Sequence, residues 1–151
     1  MTQIIITEKQ SIATFNNVPA SYENSFIYGV LSKAAESGIS IDMIAQSPAT
    51  SDRISFGFTF EDAVLPGLLA IINKQEGSDI QPLVNFGNVK ITVKSQEMID
   101  SAGFASKVFG VLKEIDCLPL LVTTGIDEIS MLVGEGSKTD LERELRKAFA
   151  I

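Results

Sequence analysis

The chain repeats itself. Displaced by 78 residues against its own sequence, Ser11-Ile12-Ala13-Thr14-Phe15 falls on Val89-Lys90-Ile91-Thr92-Val93, Phe26 on Phe104, Val30 on Val108 and Glu36 on Glu114. After a hairpin about three residues shorter in the second copy, Arg53-Ile54-Ser55-Phe56 meets Glu128-Ile129-Ser130-Met131. Identities are few, and the shared order of patterns carries the match. A repeat of this length restricts the fold to two copies of one small unit, each near the lower size limit for a core of its own.

In the first copy, Ser11 to Asn16 alternates as a half-buried strand does. The turn-rich loop Val18-Pro19-Ala20-Ser21-Tyr22-Glu23-Asn24 follows, then Phe26, Ile27, Val30, Leu31 and Ala34 at helical spacing. Gly38 is placed to close that helix. From Ile39 to Gln46 the odd positions are apolar, Ser47-Pro48-Ala49-Thr50-Ser51-Asp52 is a polar turn, and Ile54 to Phe58 alternates again. Thr59-x-x-Asp62 has the form of a cap for a helix running to about Lys74, with Pro66 tolerable near its first turn. A short strand over 80–86 completes the order βαββαβ.

The second copy predicts a strand at 89–94, a helix near 103–115, strands near 118–124 and 127–133, and a helix at 138–149. Ser137-x-x-Asp140 is its expected cap, and Leu141, Leu145 and Phe149 fall on one face. This copy lacks a closing strand, while Gln3-Ile4-Ile5-Ile6-Thr7 stands before the first copy without a place in it. The expectation is that this strand completes the second sheet, because an open edge invites pairing with other chains. The first unit (9–87) is then an insertion in the second (1–8 plus 88–151). A frayed tail at 1–8 is the alternative.

Composition narrows the chemistry. The 151 residues contain no His, so His-based triads and HExxH zinc sites are excluded. Cys117 is alone in an apolar run and reads as an inert buried thiol in a reducing cytoplasm. Neither GxxxxGK[ST] nor GxGxxG occurs. Carboxylate-only or Ser-Lys chemistry stays open by composition, though no spacing suggests it, and neither a metal nor a cofactor is expected. The net charge of -7 without a basic cluster argues against a nucleic-acid surface. Apolar runs of about six residues fall far short of the ~20 of a membrane span, and Met1-Thr2-Gln3 lacks the basic start of a secretory signal.

Several stretches together resemble the ACT domain, and the tandem form with a borrowed N-terminal strand resembles the regulatory tail of aspartokinases. They are Ile39-Ser40-Ile41-Asp42-Met43-Ile44-Ala45-Gln46-Ser47, Arg53-Ile54-Ser55-Phe56 with Glu61-Asp62, Met98 through Leu112, Leu121-Val122-Thr123-Thr124 and Ile129-Ser130. The resemblance spans essentially the whole chain. It implies an α+β fold of two ferredoxin-like units, each an antiparallel sheet with helices on one face. It also implies an allosteric module without a catalytic centre, sensing lysine or threonine at an interface between ACT units. A homodimer is implied too, with a kinase domain lying upstream or in another chain. The rival reading is a ligand-free oligomerisation module.

A free amino acid needs an acceptor for its ammonium and donors for its carboxylate, and a helix start supplies donors. By resemblance, Ser25, Phe26, Ile27, Ile41, Asp42 and Ser47 match effector-contacting positions. The loop residue Asn24 and the strand-end residue Gln46 add hydrogen-bonding capacity. In the second copy the loop Met98, Asp100, Ser101 and Gly103 is the counterpart, but Leu120 stands where Asp42 stands in the first. Many relatives place Gly at the Ser25 position, and the Pro-Gly turn common in that loop is missing here. Asp42 as an ordinary exposed strand residue, Thr123 and Thr124 as sheet formers, and Gly29, Gly57 and Gly110 as close-packing positions are the structural alternatives.

Overall fold

The computed structural model describes residues 1–21, 26–75 and 80–151. In chain order the elements are β1 (Thr2–Pro19), α1 (Phe26–Glu36), β2 (Ile44–Gln46), β3 (Arg53–Glu61), α2 (Leu65–Asn73) and β4 (Leu83–Ser95). There follow α3 (Glu97–Asp100), α4 (Phe104–Glu114), β5 (Leu121–Thr124), β6 (Glu128–Gly134) and α5 (Lys138–Phe149). Strand neighbours run β2-β3-β1-β4-β6-β5, and the pairings of β2 with β3, β4 with β6 and β5 with β6 are antiparallel. The chain is α+β.

Residues Ser11–Phe86 form one compact unit, and Met1–Gln10 with Gly87–Ile151 form another. β1 and β4 each contribute to both. They are continuous where the sequence pattern suggested two short strands apiece, because backbone pairing needs no apolar side chain at Glu8-Lys9 or Gly87-Asn88. Each carries one left-handed residue at the boundary, Lys9 (φ 56°) and Gly87 (φ 70°).

Within 11–86, parity selects the core. Ala13 and Phe15 of β1 and Ile54, Phe56, Phe58 and Phe60 of β3 meet Phe26, Val30 and Ala34 of α1 and Leu68 and Ile72 of α2. Phe15 packs edge-on against Phe26 at 5.1 Å, and Phe58 lies 5.7 Å from Phe56 and 5.8 Å from Phe60. β2 is shorter than its alternation suggested, yet the backbone beside it is still bound to β3. Asp42 N–H donates to Thr59 O and Thr59 N–H to Met43 O, both at 3.0 Å.

Thr59 does not cap a helix. It is a buried β3 residue whose Oγ1 accepts from Met43 N–H at 2.9 Å, since its place between Phe58 and Phe60 commits it to the sheet. A 3-10 turn over Asp62–Val64 leads into α2, with Pro66 in the first turn where a missing N–H costs nothing. Asp62 instead accepts from the buried Ser11 hydroxyl at 2.5 Å. Ser137 likewise makes no side-chain cap, because a second 3-10 turn, Glu135–Ser137, holds it in helical backbone.

The other unit is built the same way. Val89, Ile91 and Val93 of β4 stand opposite Val133, Met131 and Ile129 of β6. All six pack on Phe104, Val108, Val111 and Leu112 of α4 and on Leu141 and Leu145 of α5. Phe149 stacks at 4.9 Å on Phe104, beneath the Lys107 ammonium. Cys117 is half-buried against this core rather than sealed inside it. A Cβ at Gly110 would meet nothing within 4 Å and one at Gly57 only ordinary contacts, so close packing does not explain these glycines. At Gly29 a Cβ would meet only the flexible end of Gln75.

The repeat extends to individual hydrogen bonds. After α1, Gly38 N–H donates to Ala35 O (3.1 Å) and Ile39 N–H to Ala34 O (2.9 Å), with Gly38 at φ 71°. After α4, at positions displaced by the same interval, Asp116 N–H donates to Lys113 O (3.2 Å) and Cys117 N–H to Leu112 O (2.9 Å). Both are Schellman closures. The second uses Asp116 at φ 53°, a conformation costing a non-glycine residue roughly 1 kcal/mol. Asp116→Gly is therefore expected to raise stability by about 0.5–1 kcal/mol and Gly38→Ala to lower it by about 1 kcal/mol. Urea midpoints at unchanged m-value read both effects.

Glu8 at the end of the N-terminal segment accepts from the Lys138 ammonium at the start of α5. That hydrogen bond holds the Glu8 carboxyl below its ordinary 4.5 and the Lys138 ammonium above its ordinary 10.5. A depressed carboxyl stabilises the fold above its unfolded pKa and ceases to as pH falls through the folded one. A raised amine stabilises below its unfolded pKa and ceases to as pH rises through the folded one. The stability difference between wild type and Glu8→Gln is thus expected near neutral pH and to vanish in acid, in denaturation series across pH.

Candidate functional site

One end of the 11–86 unit is shaped by a tight turn. Thr50 and Arg53 exchange backbone hydrogen bonds of 2.8 and 3.0 Å around Ser51 (φ 51°) and Asp52 (φ 60°). Two left-handed central residues make this a type I′ hairpin turn, matched to strand twist. Asp52 O accepts from Ala20 N–H at 2.9 Å, which holds the chain leaving β1 against the turn.

A cavity of about 110 Å³ lies beside this tether. Val18, Pro19, Ala20 and Ser21 form one wall, and Phe26 and Ile27 of the first turn of α1 form another. Gln46 at the end of β2, Ala49 of the turn and Ile54 of β3 complete it. Val18, Phe26 and Ile54 are buried, while Gln46 and Ala49 are exposed at the rim. Two shallower depressions adjoin it. One, of about 510 Å³, shares Pro19, Ala20 and Ser21 with the cavity, and the other, of about 240 Å³, shares Ile54. Arg53 lines both. Helix starts in general present N–H groups without an acceptor four residues back and partial positive charge, and the first turn of α1 borders the cavity. Apolar surface with donors at its margin is the equipment of a binding site.

The structure brings Phe26, Ile27 and Gln46 together around this cavity. Ser47 lies just beyond, and its Oγ accepts from Ser55 N–H at 2.8 Å while its own N–H donates to Ser55 O at 2.9 Å. Ile41 is half-buried on the core, and Asp42 is exposed about 13 Å along the extended chain from Gln46. Neither lines the cavity. Asn24 and Ser25 lie outside the described residues. In the other unit, Met98 packs half-buried on the core. The expected loop there begins as a helical turn ending at Asp100, with Ser101 N–H donating to Glu97 O at 2.9 Å. Gly103 (φ 93°) precedes α4, and its carbonyl accepts from Lys107 N–H at 3.0 Å.

Pattern reading missed Val18, Ala49, Ile54 and Arg53. Nothing local marks them, since they meet through the Ala20–Asp52 tether between segments more than thirty residues apart.

Comparison with known proteins places this fold among the regulatory parts of one class of enzyme, the aspartate kinases. No family model matches the chain. An aspartokinase of Geobacillus stearothermophilus is 27% identical over 122 residues, 81% of this chain but 30% of that protein. The regulatory subunit of aspartate kinase from Thermus thermophilus, solved ligand-free, superposes with a TM-score of 0.85 at 16% identity, over 97% of this chain and 96% of that one. A structure of aspartokinase alpha and beta subunits gives 0.83 at 23% identity, over 98% and 97%. Escherichia coli aspartokinase III in complex with lysine and aspartate gives 0.70 at 18%, over 95% of this chain and 32% of that one. The chain has the fold of the aspartate kinase regulatory domains.

Ser47 holds the end of the β2–β3 pair. Ser47→Ala is expected to lower stability by about 1 kcal/mol or less, in urea denaturation.

Proposed function

We propose that the chain is an allosteric amino-acid-sensing module of the aspartokinase type, two ferredoxin-like ACT units at 9–87 and at 1–8 plus 88–151. In this reading a free amino acid, lysine or threonine by resemblance, occupies the first unit at Phe26, Ile27 and Gln46. Its carboxylate faces the start of α1. Occupancy favours one arrangement of the module over another, restraining a kinase domain in the same chain or a partner chain. A homodimer in the cytoplasm is its setting.

The observation that carries this reading is the cavity between the end of β1, the start of α1 and the end of β2, lined by three of the residues singled out from sequence. The similarity to regulatory subunits over nearly the whole chain supports it. A ligand-free oligomerisation module is the competing reading. It is favoured by Leu118 and Ile126, 91% and 77% exposed on either side of β5.

A thermal-shift screen separates the two. With lysine, threonine, methionine and the branched-chain amino acids, sensing predicts a raised Tm for at least one. Ligand at a hundred times its Kd stabilises by about 2.7 kcal/mol. Gln46→Ala should then need about tenfold more ligand for the same shift. A flat screen supports the oligomerisation module instead.

A further inference from the structure

We infer that two copies of this chain associate through the open edge of β5, strand against strand, in an antiparallel pair centred on Val122. The inference rests on the homodimer of the proposed reading and gives it a surface and a register.

Three observations carry it. The first is an edge without protection. Among the described residues β5 pairs with β6 alone and ends its sheet, so its outer backbone groups are open to another strand. Edge strands are ordinarily blunted by Lys or Pro, and Leu121–Thr124 contains neither. Leu120 N–H donates to Leu132 O at 2.8 Å and Gly125 N–H to Glu128 O at 2.9 Å, which ties both ends of the strand to β6 and holds the edge in place. The second is apolar surface on either side of the strand. Leu118, Leu120 and Ile126 are 91%, 45% and 77% exposed. The third is charge. A chain of net charge -7 repels its own copy, yet residues 117–126 carry no charged side chain. Asp127 and Glu128 just beyond lie 3.5 and 3.9 Å from the Lys94 ammonium, which offsets them.

These features select a second copy as the occupant. With Val122 against its own counterpart at a two-fold axis, Leu118 of each copy falls opposite Ile126 of the other, and Leu120 opposite Thr124. An apolar residue thus meets an apolar or hydroxyl one along the whole strip. A charged partner would find no counter-charge there.

Analytical ultracentrifugation of the full chain over a concentration series reads the association. Wild type is expected to form a dimer. Leu118→Glu alters a side chain that the fold leaves in solvent, and should weaken the dimer at least about tenfold with circular dichroism unchanged. Adding Ile126→Lys should recover most of that loss, because each new carboxylate then faces the other copy's new ammonium. Cross-linking reads the register. In a Cys117→Ser background, Val122→Cys should give a disulfide dimer, since directly opposed Cα atoms lie about 4.5–5.5 Å apart. Thr124→Cys should not, because its two copies stand about four residues, or ~13 Å, out of register. A dimer that Leu118→Glu leaves intact, a double variant no better than the single one, or cross-linking at Thr124→Cys and not at Val122→Cys overturns the inference while the homodimer stands. A chain that is monomeric at every concentration overturns the homodimer and this inference together, and leaves amino-acid sensing to the thermal-shift screen.

Discussion

The parity of β3 holds the 11–86 unit together. Ile54, Phe56, Phe58 and Phe60 all face the two helices, and a slip of one residue would turn four large side chains away from the core. Each contributes about 2–3 kcal/mol by burial, so no alternative register competes. The same parity puts Arg53, Ser55, Gly57 and Thr59 on the opposite side. Thr59 is thereby bound to Met43 rather than free to cap α2, and Arg53 is left at the turn, lining the two depressions beside the cavity. The shape of the cavity end of the unit follows from the packing of its middle.

The two units resolve the same geometric problem with different residues. α1 and α4 must both stop after eleven residues and turn back toward a strand, and both do so through paired hydrogen bonds around a left-handed residue. Gly38 adopts that conformation without steric cost and Asp116 does not, yet the closure survives. Cores of Phe26, Val30 and Ala34 in one unit and Phe104, Val108 and Leu112 in the other anchor each helix strongly enough to impose its end. Tertiary packing outweighs local preference by more than the ~1 kcal/mol at stake.

The units differ at the end where the first has its cavity. In 11–86 the Ala20–Asp52 hydrogen bond draws the segment after β1 onto the hairpin and encloses apolar space beside α1. In the other unit the equivalent stretch condenses into the helical turn of α3, and Leu120 takes the place of Asp42. One fold thus carries two differently furnished ends.

By itself the sequence determined the elements whose side chains alternate or recur on one face. These are the helix from Phe26, those read near 103–115 and 138–149, the strands read near 127–133 and 118–124 (the latter beginning only at Leu121), and the core residues on them. Periodic burial leaves that record in any chain. It also singled out Phe26, Ile27 and Gln46, which the fold brings to one cavity. What only the tertiary structure decided depends on partners distant in sequence. β1 and β4 run unbroken through polar residues because hydrogen-bonded neighbours, not side chains, extend them. Thr59 and Ser137 lose their caps to a sheet and to a 3-10 turn. Val18, Ala49 and Ile54 become one wall only after β1, the turn and β3 are laid together, since a cavity is a property of three segments at once and no single segment encodes it.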